Sequence, residues 1–358
     1  FQPSPLLLYS LLGLWSVLAP RRGVPVCVRF RLPVAVRARW LAGVGAQAAT
    51  RVERRHDITG DSAQHEGAMR FQELVETRSE GDIEVKIFAN NSLGDDVQVA
   101  QQMQFGAVQA APIPTAKLSG FNKQLQLIDL PFLFPSREVA YEFLDGPVGE
   151  RVLGGLRDAG FEPAMFWESG FKQMTCDMAV HEPADLEGAK FRVMESPLLI
   201  AQYQAVGANP VPIAFSETYT ALQQGVVDCQ ENPLVSISQM KFYEVQDYLM
   251  LSNHGYLGTA FIFSKVWFDK LPQAQQDILM TAAREAGAYQ RERSAAREQC
   301  YLDGIKDAGG TEVIELTDAR KQAFRDAMDP VYDEFGGILG ADLMQATREE
   351  LARLSDGQ

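Results

Sequence analysis

The spacing of apolar residues changes repeatedly along the chain between a period of two and a period near 3.6, and this alternation constrains the fold most. The segment 83–88 alternates between apolar and polar residues, as a half-buried strand does. Before it, Phe71 and Leu74 belong to an apolar stripe on a helix predicted over 66–78. Strands that alternate with helices build a sheet covered by helices. The sequence therefore predicts an α/β protein.

Cap and turn residues place the other elements. Ser216 and Thr317 are predicted N-caps, and Asp95 with Asp96 is interpreted as a cap before another helix. A long helix is expected to begin near Pro272. The remaining predictions are helices over 97–105, 136–144, 147–159 and 217–224, and strands near 50–53, 190–194 and 226–228.

Charge is distributed unequally along the chain. Residues 1–48 contain six Arg and no Asp, Glu or Lys. The other 310 residues hold 27 basic and 47 acidic side chains, a net charge of −20. Nucleic-acid binding needs clustered Lys and Arg. The acidic body therefore argues against a nucleic-acid partner.

The basic segment 1–48 has the order of an export signal. A basic stretch ending at Arg39 precedes a short apolar run at 40–45, and the small residues Ala46 and Ala48 follow. Neither apolar run in this segment reaches the roughly 20 residues that a membrane-spanning helix needs. We predict a leader over 1–48, cleavage after Ala48 and a periplasmic mature protein. The alternative is a disordered or wrongly started segment.

Signals for cofactors, metals and disulfides are weak. The stretch 43–48 fits the dinucleotide pattern G-x-G-x-x-A, but no strand precedes it and no helix follows. The four His show no metal-ligand spacing. We expect no cofactor and no metal. One disulfide is possible among Cys176, Cys229 and Cys300, and the sequence does not select the pair.

Several segments then stand in an order that one family shares. They are S-L-G-D-D at 92–96, L-D-G-P-V-G at 144–149, D-L-E-G-A-K-F-R-V at 185–193, G-A-N-P at 207–210, F-S-E-T-Y-T-A-L-Q-Q-G-V-V-D at 215–228, Q-E-N-P at 230–233 and K-F-Y-E-V-Q at 241–246. Over residues 52–335 the chain resembles the DctP-type substrate-binding proteins of tripartite ATP-independent periplasmic (TRAP) transporters.

The resemblance implies a two-lobed periplasmic binding protein fold with hinge strands and a long C-terminal helix that spans the lobes. Lobe I would comprise residues 49–169 with about 258–298, and lobe II residues 170–257 with about 299–358. The expected protein is a monomer and no enzyme. It would capture a small organic acid, such as a four-carbon dicarboxylate, and deliver it to membrane permease subunits driven by an ion gradient.

Two other function classes compete with transport. A sensory ligand-binding subunit would use the same pocket and pass its signal to a membrane kinase. An oxidoreductase would have to use the G-x-G-x-x-A stretch at 43–48. Permease genes beside the gene for this chain would favour transport over the sensory subunit. Absence of a bound cofactor and of catalytic turnover would exclude the oxidoreductase.

The resemblance also implies ligand contacts. Arg192 corresponds to the carboxylate-clamping arginine of the family, and a guanidinium can bind a carboxylate through two parallel hydrogen bonds. Asn232 resembles a second carboxylate contact, whose amide donates without adding charge. Phe215 resembles the aromatic residue that packs on the carbon skeleton of the ligand. Their structural alternatives are a solvent-facing strand Arg, a turn Asn and a core Phe.

Three further residues complete the predicted site. Lys172 stands where relatives often have an Arg that reaches the distal end of the ligand, and a surface Lys is the alternative. Glu195 stands where some relatives have a neutral amide, and its charge suits a hydroxyl or cationic group better than a second carboxylate. Trp167, five residues before Lys172, is the sixth candidate.

Overall fold

A computed structural model describes the backbone of residues 50–55, 62–89 and 92–356, all within one compact unit. The predicted leader, its cleavage site and the G-x-G-x-x-A stretch at 43–48 lie outside these residues. The strands are β1 (Thr50–Arg55), β2 (Ile83–Phe88), β3 (Ala110–Pro114), β4 (Phe161–Cys176), β5 (Lys190–Val193), β6 (Asn209–Pro212), β7 (Cys229–Pro233), β8 (Tyr248–Ser264) and β9 (Glu312–Glu315).

Helices cover and connect these strands. They are α1 (Ala63–Arg78), α2 (Asp96–Gln104), α3 (Arg137–Asp145), α4 (Pro147–Gly154), α5 (Pro197–Ala205), α6 (Thr218–Gln223), α7 (Leu234–Gln239), α8 (Lys265–Phe268), α9 (Gln273–Ala308), α10 (Asp318–Leu339) and α11 (Ala341–Asp356). Short 3₁₀ turns include Thr115–Leu118, Lys123–Asp129 and Phe215–Glu217. The α/β prediction is confirmed.

One sheet organises the described chain. Its strand order is β2-β1-β3-β8-β4-β7-β5-β6, and β9 pairs with β8. The antiparallel strands β4 and β8, of 16 and 17 residues, lie at the centre and pair from Phe161–Ser264 to Cys176–Tyr248. Their register shifts at three points, and such bulges bend and twist a strand pair. These two strands therefore connect the β2-β1-β3 side of the sheet to the β7-β5-β6 side.

Helix α9 contributes to two separate cores. Its residues Leu279 and Ala286 pack in the apolar cluster that contains Phe71 and Phe261. Further along the helix, Ile305 packs in the cluster around Leu222, Ile237 and Phe242. Because an α-helix rises about 1.5 Å per residue, α9 can span both parts of the molecule. The long helix that the sequence predicts is confirmed, and it extends to Ala308.

Several local predictions are confirmed at their caps. The Thr317 hydroxyl accepts a hydrogen bond from the Arg320 amide at 3.4 Å and caps α10. Before α2, the Asp95 carboxylate accepts from the Gln98 amide at 2.9 Å, and the Gln98 side chain accepts from the Asp95 amide at 3.2 Å. Asp95 is thus the cap, and Asp96 is the buried first residue of the helix.

Two local predictions around α6 are wrong. Ser216 lies inside the 3₁₀ turn Phe215–Glu217, and α6 begins at Thr218, so Ser216 is not the cap. The strand predicted at 226–228 begins instead at Cys229. The amide of Val226 donates to Ala221 O at 2.9 Å and closes the end of α6, so it cannot also serve in a strand ladder.

The structure selects a disulfide that the sequence leaves open. Cys176 and Cys229 are opposite each other on β4 and β7, with Cα atoms 4.1 Å apart, and their sulfurs are bonded. Cys300 is a free, exposed cysteine on α9. The bond therefore ties the long central strand to the strand that carries Asn232.

Removing this disulfide should destabilise the protein. Cys176 and Cys229 are 53 residues apart in sequence, and closing a loop of that size in the unfolded chain corresponds to about 4 kcal/mol. We expect Cys176→Ala with Cys229→Ala to lower the free energy of unfolding by about that amount in urea denaturation. Cys300→Ser is the control and should leave it unchanged. Equal stability of the double variant and the wild type would contradict a structural role of the bond.

Candidate functional site

Arg192 and Asn232 lie on the same face of the sheet, on neighbouring parallel strands. Arg192 of β5 pairs with Gln230 of β7, and Asn232 follows two residues later on β7. Because successive side chains in a strand point to opposite faces, Arg192, Gln230 and Asn232 share one face, and Glu231 faces the other way. The register of two short strands thus brings the two predicted carboxylate contacts together.

Arg192 is a buried cation bonded to a neutral oxygen. Its side chain is 1% exposed, and its Nε and Nη2 donate to Ile213 O at 3.0 and 2.7 Å. Burial lowers the pKa of Arg192 to about 10, against the opposing effect of Glu231 and Asp96. The guanidinium therefore stays charged at neutral pH, and both carboxylates act on it electrostatically. It is a core residue rather than the solvent-facing Arg of the alternative interpretation.

A chain of amides and hydroxyls orients Asn232. Its Nδ2 donates to Gln230 Oε1 at 2.7 Å, and Gln230 Nε2 donates to Thr175 Oγ1 at 2.8 Å. Thr175 in turn donates to Gln246 Oε1 at 2.9 Å. These side chains are buried, so the network holds them in defined orientations. Asn232 is consequently a fixed polar group on the strand and not a turn residue.

Phe215 lies on the segment that Arg192 holds against the sheet. Ile213, two residues earlier, accepts from the Arg192 guanidinium through its carbonyl, and its amide donates to Val193 O at 3.2 Å. Phe215 is half-buried, and its ring meets that of Phe242 edge to face with centroids 6.1 Å apart. The structure therefore brings the Phe215 segment to β5, beside Arg192.

Lys172 belongs to an ionic network on the opposite face of the sheet. Its Nζ lies 2.9 Å from Glu231 Oε1 and 3.9 Å from Asp129 Oδ1. The other Glu231 oxygen is 2.7 Å from His254 Nε2 and accepts from Tyr203 OH at 2.9 Å. With 1% exposure, Lys172 is no surface lysine, so that alternative is wrong. Glu231 connects it electrostatically to Arg192.

The network changes the ionisation of its two carboxylates in opposite directions. Burial alone raises the pKa of Glu231, but Lys172 and His254 more than reverse this and hold that pKa well below its usual range. Burial raises the pKa of Asp129 to about 6, although Lys172 and a hydrogen bond from Thr115 oppose the rise. Glu231 is thus held ionised beside Lys172, and Asp129 can take up a proton near pH 6.

Sequence reasoning missed most of this network. Glu231 lies inside the quoted Q-E-N-P segment, but Asp129, Tyr203 and His254 come from a 3₁₀ turn, α5 and β8. In sequence they lie 102, 28 and 23 residues from Glu231. In the fold, Tyr203 and His254 hydrogen-bond the Glu231 carboxylate, and Asp129 lies 3.9 Å from Lys172. No local pattern marks such residues.

Glu195 and Trp167 occupy different surroundings. Glu195 follows β5, is exposed and forms an ion pair with the buried Lys117, which lies in the 3₁₀ turn after β3. Both residues line a cavity of about 450 Å³. Trp167 is fully buried and stacks on Phe261, with ring centroids 5.0 Å apart, in the core that includes Phe71. The structure places Trp167 in that core and not beside Arg192.

The comparisons with known proteins show the family of the chain. Residues 56–337 match the family model of the bacterial extracellular solute-binding proteins, family 7, called DctP. The chain is 35% identical over 298 residues to the 2,3-diketo-L-gulonate-binding periplasmic protein YiaO of Escherichia coli (strain K12), covering 82% of this chain and 90% of that protein. It is also 35% identical to the C4-dicarboxylate-binding periplasmic protein DctP of Rhodobacter capsulatus, over 83% of this chain and 90% of that one.

A solved structure has the same fold as this chain. The TRAP periplasmic solute-binding protein of Sulfurospirillum deleyianum, crystallised with succinate, is 35% identical, with a TM-score of 0.81 over 84% of this chain and 99% of that one. The fold and the comparisons together show that this chain is a two-lobed periplasmic solute-binding protein.

The chain belongs to family 7 of the bacterial extracellular solute-binding proteins, the DctP family. The predicted family, fold class and periplasmic location are confirmed. None of the helices in the described part of the chain is long and apolar enough to cross a membrane.

The raised pKa of Asp129 predicts a specific pH dependence of stability. The folded chain holds this proton up to about pH 6, whereas the unfolded chain releases it near the ordinary value of 3.8. As the pH rises from about 4 to about 6, ionisation of Asp129 therefore lowers the free energy of unfolding. Above about pH 6 this loss of stability no longer grows. Asp129→Asn removes this loss. Its stability relative to the wild type should rise by about 2.4 kcal/mol from pH 4 to pH 7 in urea denaturation.

An exposed acidic residue provides the control for this measurement. Asp333 lies on the exposed side of α10, so Asp333→Asn should shift the stability by a similar small amount at both pH values. If the stability difference between Asp129→Asn and the wild type is the same at pH 4 and pH 7, the folded chain does not hold a proton on Asp129.

Proposed function

We propose that this protein captures a small organic acid by its carboxylate on the Arg192 guanidinium and delivers it to the membrane subunits of a TRAP permease. The observation that carries the proposal is the state of Arg192. It is buried and charged, and its two hydrogen bonds go to one neutral carbonyl oxygen, whereas the buried cations Lys172 and Arg291 form ion pairs at 2.9 and 2.6 Å. A buried cation without a paired anion is costly. A ligand carboxylate would supply that anion.

The groups around Arg192 support this role. The sheet register sets Asn232 on the same face, where its amide can donate to the second oxygen of a carboxylate. Phe215 offers an aromatic ring on a segment held by Arg192 itself. A planar guanidinium, an amide donor and an apolar ring together match a carboxylate attached to a short carbon chain.

The relatives differ in the acids for which they are named. One is named for 2,3-diketo-L-gulonate, one for C4-dicarboxylates, and one was crystallised with succinate. These compounds have a carboxylate in common. These relatives therefore support a carboxylate as the ligand of the present chain, and the geometry around Arg192 supports the place where it would bind.

Ligand capture is proposed to close two lobes. In this arrangement lobe I comprises residues 49–169 with about 258–298, and lobe II residues 170–257 with about 299–358, with β4 and β8 as hinge strands. The register shifts between β4 and β8 are suited to bending. The protein is proposed to act as a monomer and not as an enzyme, with the ligand and the permease as its partners and no nucleic acid.

Neutralising Arg192 should abolish tight binding without unfolding the protein. Arg192→Gln keeps an amide that can donate to Ile213 O but removes the charge. Losing one partner of a desolvated charge pair costs about 2–5 kcal/mol, roughly 30- to 5,000-fold in affinity. Arg192→Lys should also bind poorly, because one ammonium cannot form two parallel hydrogen bonds. Isothermal titration with the tightest acid from a thermal-shift screen measures both losses.

A second buried arginine separates ligand binding from structure. Arg291 pairs with Asp145 at 2.6 Å and is 5% exposed. Arg291→Gln breaks that pair, so it should lower the melting temperature of the ligand-free protein and leave the affinity unchanged. Arg192→Gln should show the reverse. Near-normal affinity of Arg192→Gln would refute the carboxylate clamp.

A further inference from the structure

The strands on the two sides of the β4–β8 pair point towards each other. β3 runs along β8 towards the middle of the pair and ends with Pro114 opposite Thr259. β7 runs along β4 from the other end and stops with Pro233 opposite Lys172, which pairs with Gly255 of β8. β5 is parallel to β7 and points the same way. The carboxyl ends of β3 and β5 therefore approach the middle of the central pair from opposite ends.

An ion pair joins the segments that follow these two strand ends. Lys117 lies in the 3₁₀ turn Thr115–Leu118 directly after β3, and Glu195 is the second residue after β5. The Lys117 ammonium contacts the Glu195 carboxylate. β8, β4 and β7 lie between β3 and β5 in the sheet, so β3 and β5 are four strand spacings apart, about 19 Å. The ion pair therefore connects the proposed lobe I, which contains β3, to the proposed lobe II, which contains β5.

The two members of this ion pair differ in exposure. The Lys117 side chain is 3% exposed, and the Glu195 side chain is 43% exposed. Burying an ammonium costs free energy unless polar or anionic groups compensate for the lost water. In this structure, where the two segments touch, Glu195 supplies an anion to the buried Lys117. If the lobes separate, water can solvate Lys117 instead, so the ion pair stabilises the closed form specifically.

Few apolar contacts accompany the ion pair where it joins the lobes. Lys117 and Glu195 both line the cavity of about 450 Å³, together with Val97 and Phe121 of the proposed lobe I and Pro197 of the proposed lobe II. Across this space the side chains of the two lobes make no van der Waals contact. Because close packing is missing there, the ion pair contributes a larger share of the attraction between the lobes at this place.

We propose that the Lys117–Glu195 ion pair is a latch between the lobes, which forms when they close on the ligand and breaks when they open. An interaction made only in the closed form shifts the equilibrium towards that form. The latch therefore slows ligand release, and neither residue has to touch the ligand for this effect. The inference rests on the proposed function, because it requires capture of the ligand by lobe closure.

Calorimetric titration and stopped-flow kinetics of the whole protein test the latch. The probe is the tightest binder among succinate, L-malate, D-erythronate and D-galactonate. Glu195→Gln removes the anion that Lys117 contacts in the closed form. We expect an affinity about tenfold lower, caused by faster dissociation, and an association rate within about twofold of the wild type. Glu73→Gln breaks the Arg70–Glu73 pair within α1, at 2.7 Å, and as the control should change neither rate.

A second substitution shows whether Glu195 acts through Lys117. Lys117→Met keeps an unbranched side chain and removes the charge, so no ammonium remains for Glu195 to compensate. In this background Glu195→Gln should change the affinity by less than about twofold. The same tenfold loss in both backgrounds would mean that Glu195 acts on the ligand itself, and it would overturn the latch. An unchanged or higher affinity of the single variant Glu195→Gln would overturn it as well.

The ligand-free protein separates a latch from an ordinary structural ion pair. Because the latch is broken in the open form, Glu195→Gln should leave the melting temperature without ligand unchanged. A lower melting temperature with unchanged affinity would show that the pair stabilises the folded chain regardless of closure, which contradicts the proposal.

The outcomes also separate the latch from the function on which it rests. If Arg192→Gln abolishes binding and Glu195→Gln leaves it unchanged, the latch is wrong and the carboxylate site still stands. If none of the four acids binds the wild-type protein, the result counts against the proposed function and against the latch with it.

Discussion

The pairing of β4 with β8 is the constraint on which the rest of the structure depends. These strands join the two sides of the sheet. Each supplies residues to the core around Phe71 and Phe261, to a further core that includes Phe166 and Ile262, and to the buried charges. Lys172 on β4 reaches Glu231, and His254 on β8 reaches the same carboxylate from another strand. Because β7 pairs with β4 and β5 pairs with β7, the position of Arg192 is set by this central pair through two further registers. The disulfide between Cys176 and Cys229 closes the first of those registers covalently.

The two faces of the sheet at β5 and β7 differ in whether their buried charged side chains have a charged partner. On one face the Glu231 carboxylate contacts both Lys172 and His254. These contacts offset the cost of removing the charged groups from water. On the other face Arg192 is held by a single carbonyl oxygen. Glu231 lies between them and stabilises the charge of Arg192 from behind the sheet. The paired face therefore keeps Arg192 ionised while leaving its remaining donors available, and this asymmetry is the physical basis of the proposed carboxylate site.

Much of this could be predicted from the sequence because it is local. The strand at 83–88, the caps Asp95 and Thr317 and the long helix after Pro272 all depend on neighbouring residues, so periodicity and cap chemistry predict them. The wrong strand at 226–228 shows where local reasoning ends. Its apolar residues favour a strand, but the amide of Val226 is already used to close α6.

The sequence by itself determined the α/β class, the family and the identities of Arg192, Asn232 and Phe215 as candidates, since these depend on composition, spacing and motif order. Only the tertiary structure decided which cysteines pair, that Lys172 is buried against Glu231, and that Trp167 packs in the core. The reason is that burial and charge pairing depend on which distant residues meet. Asp129, Tyr203 and His254 meet around Glu231 and Lys172 only after the sheet has brought their strands, turn and helix together.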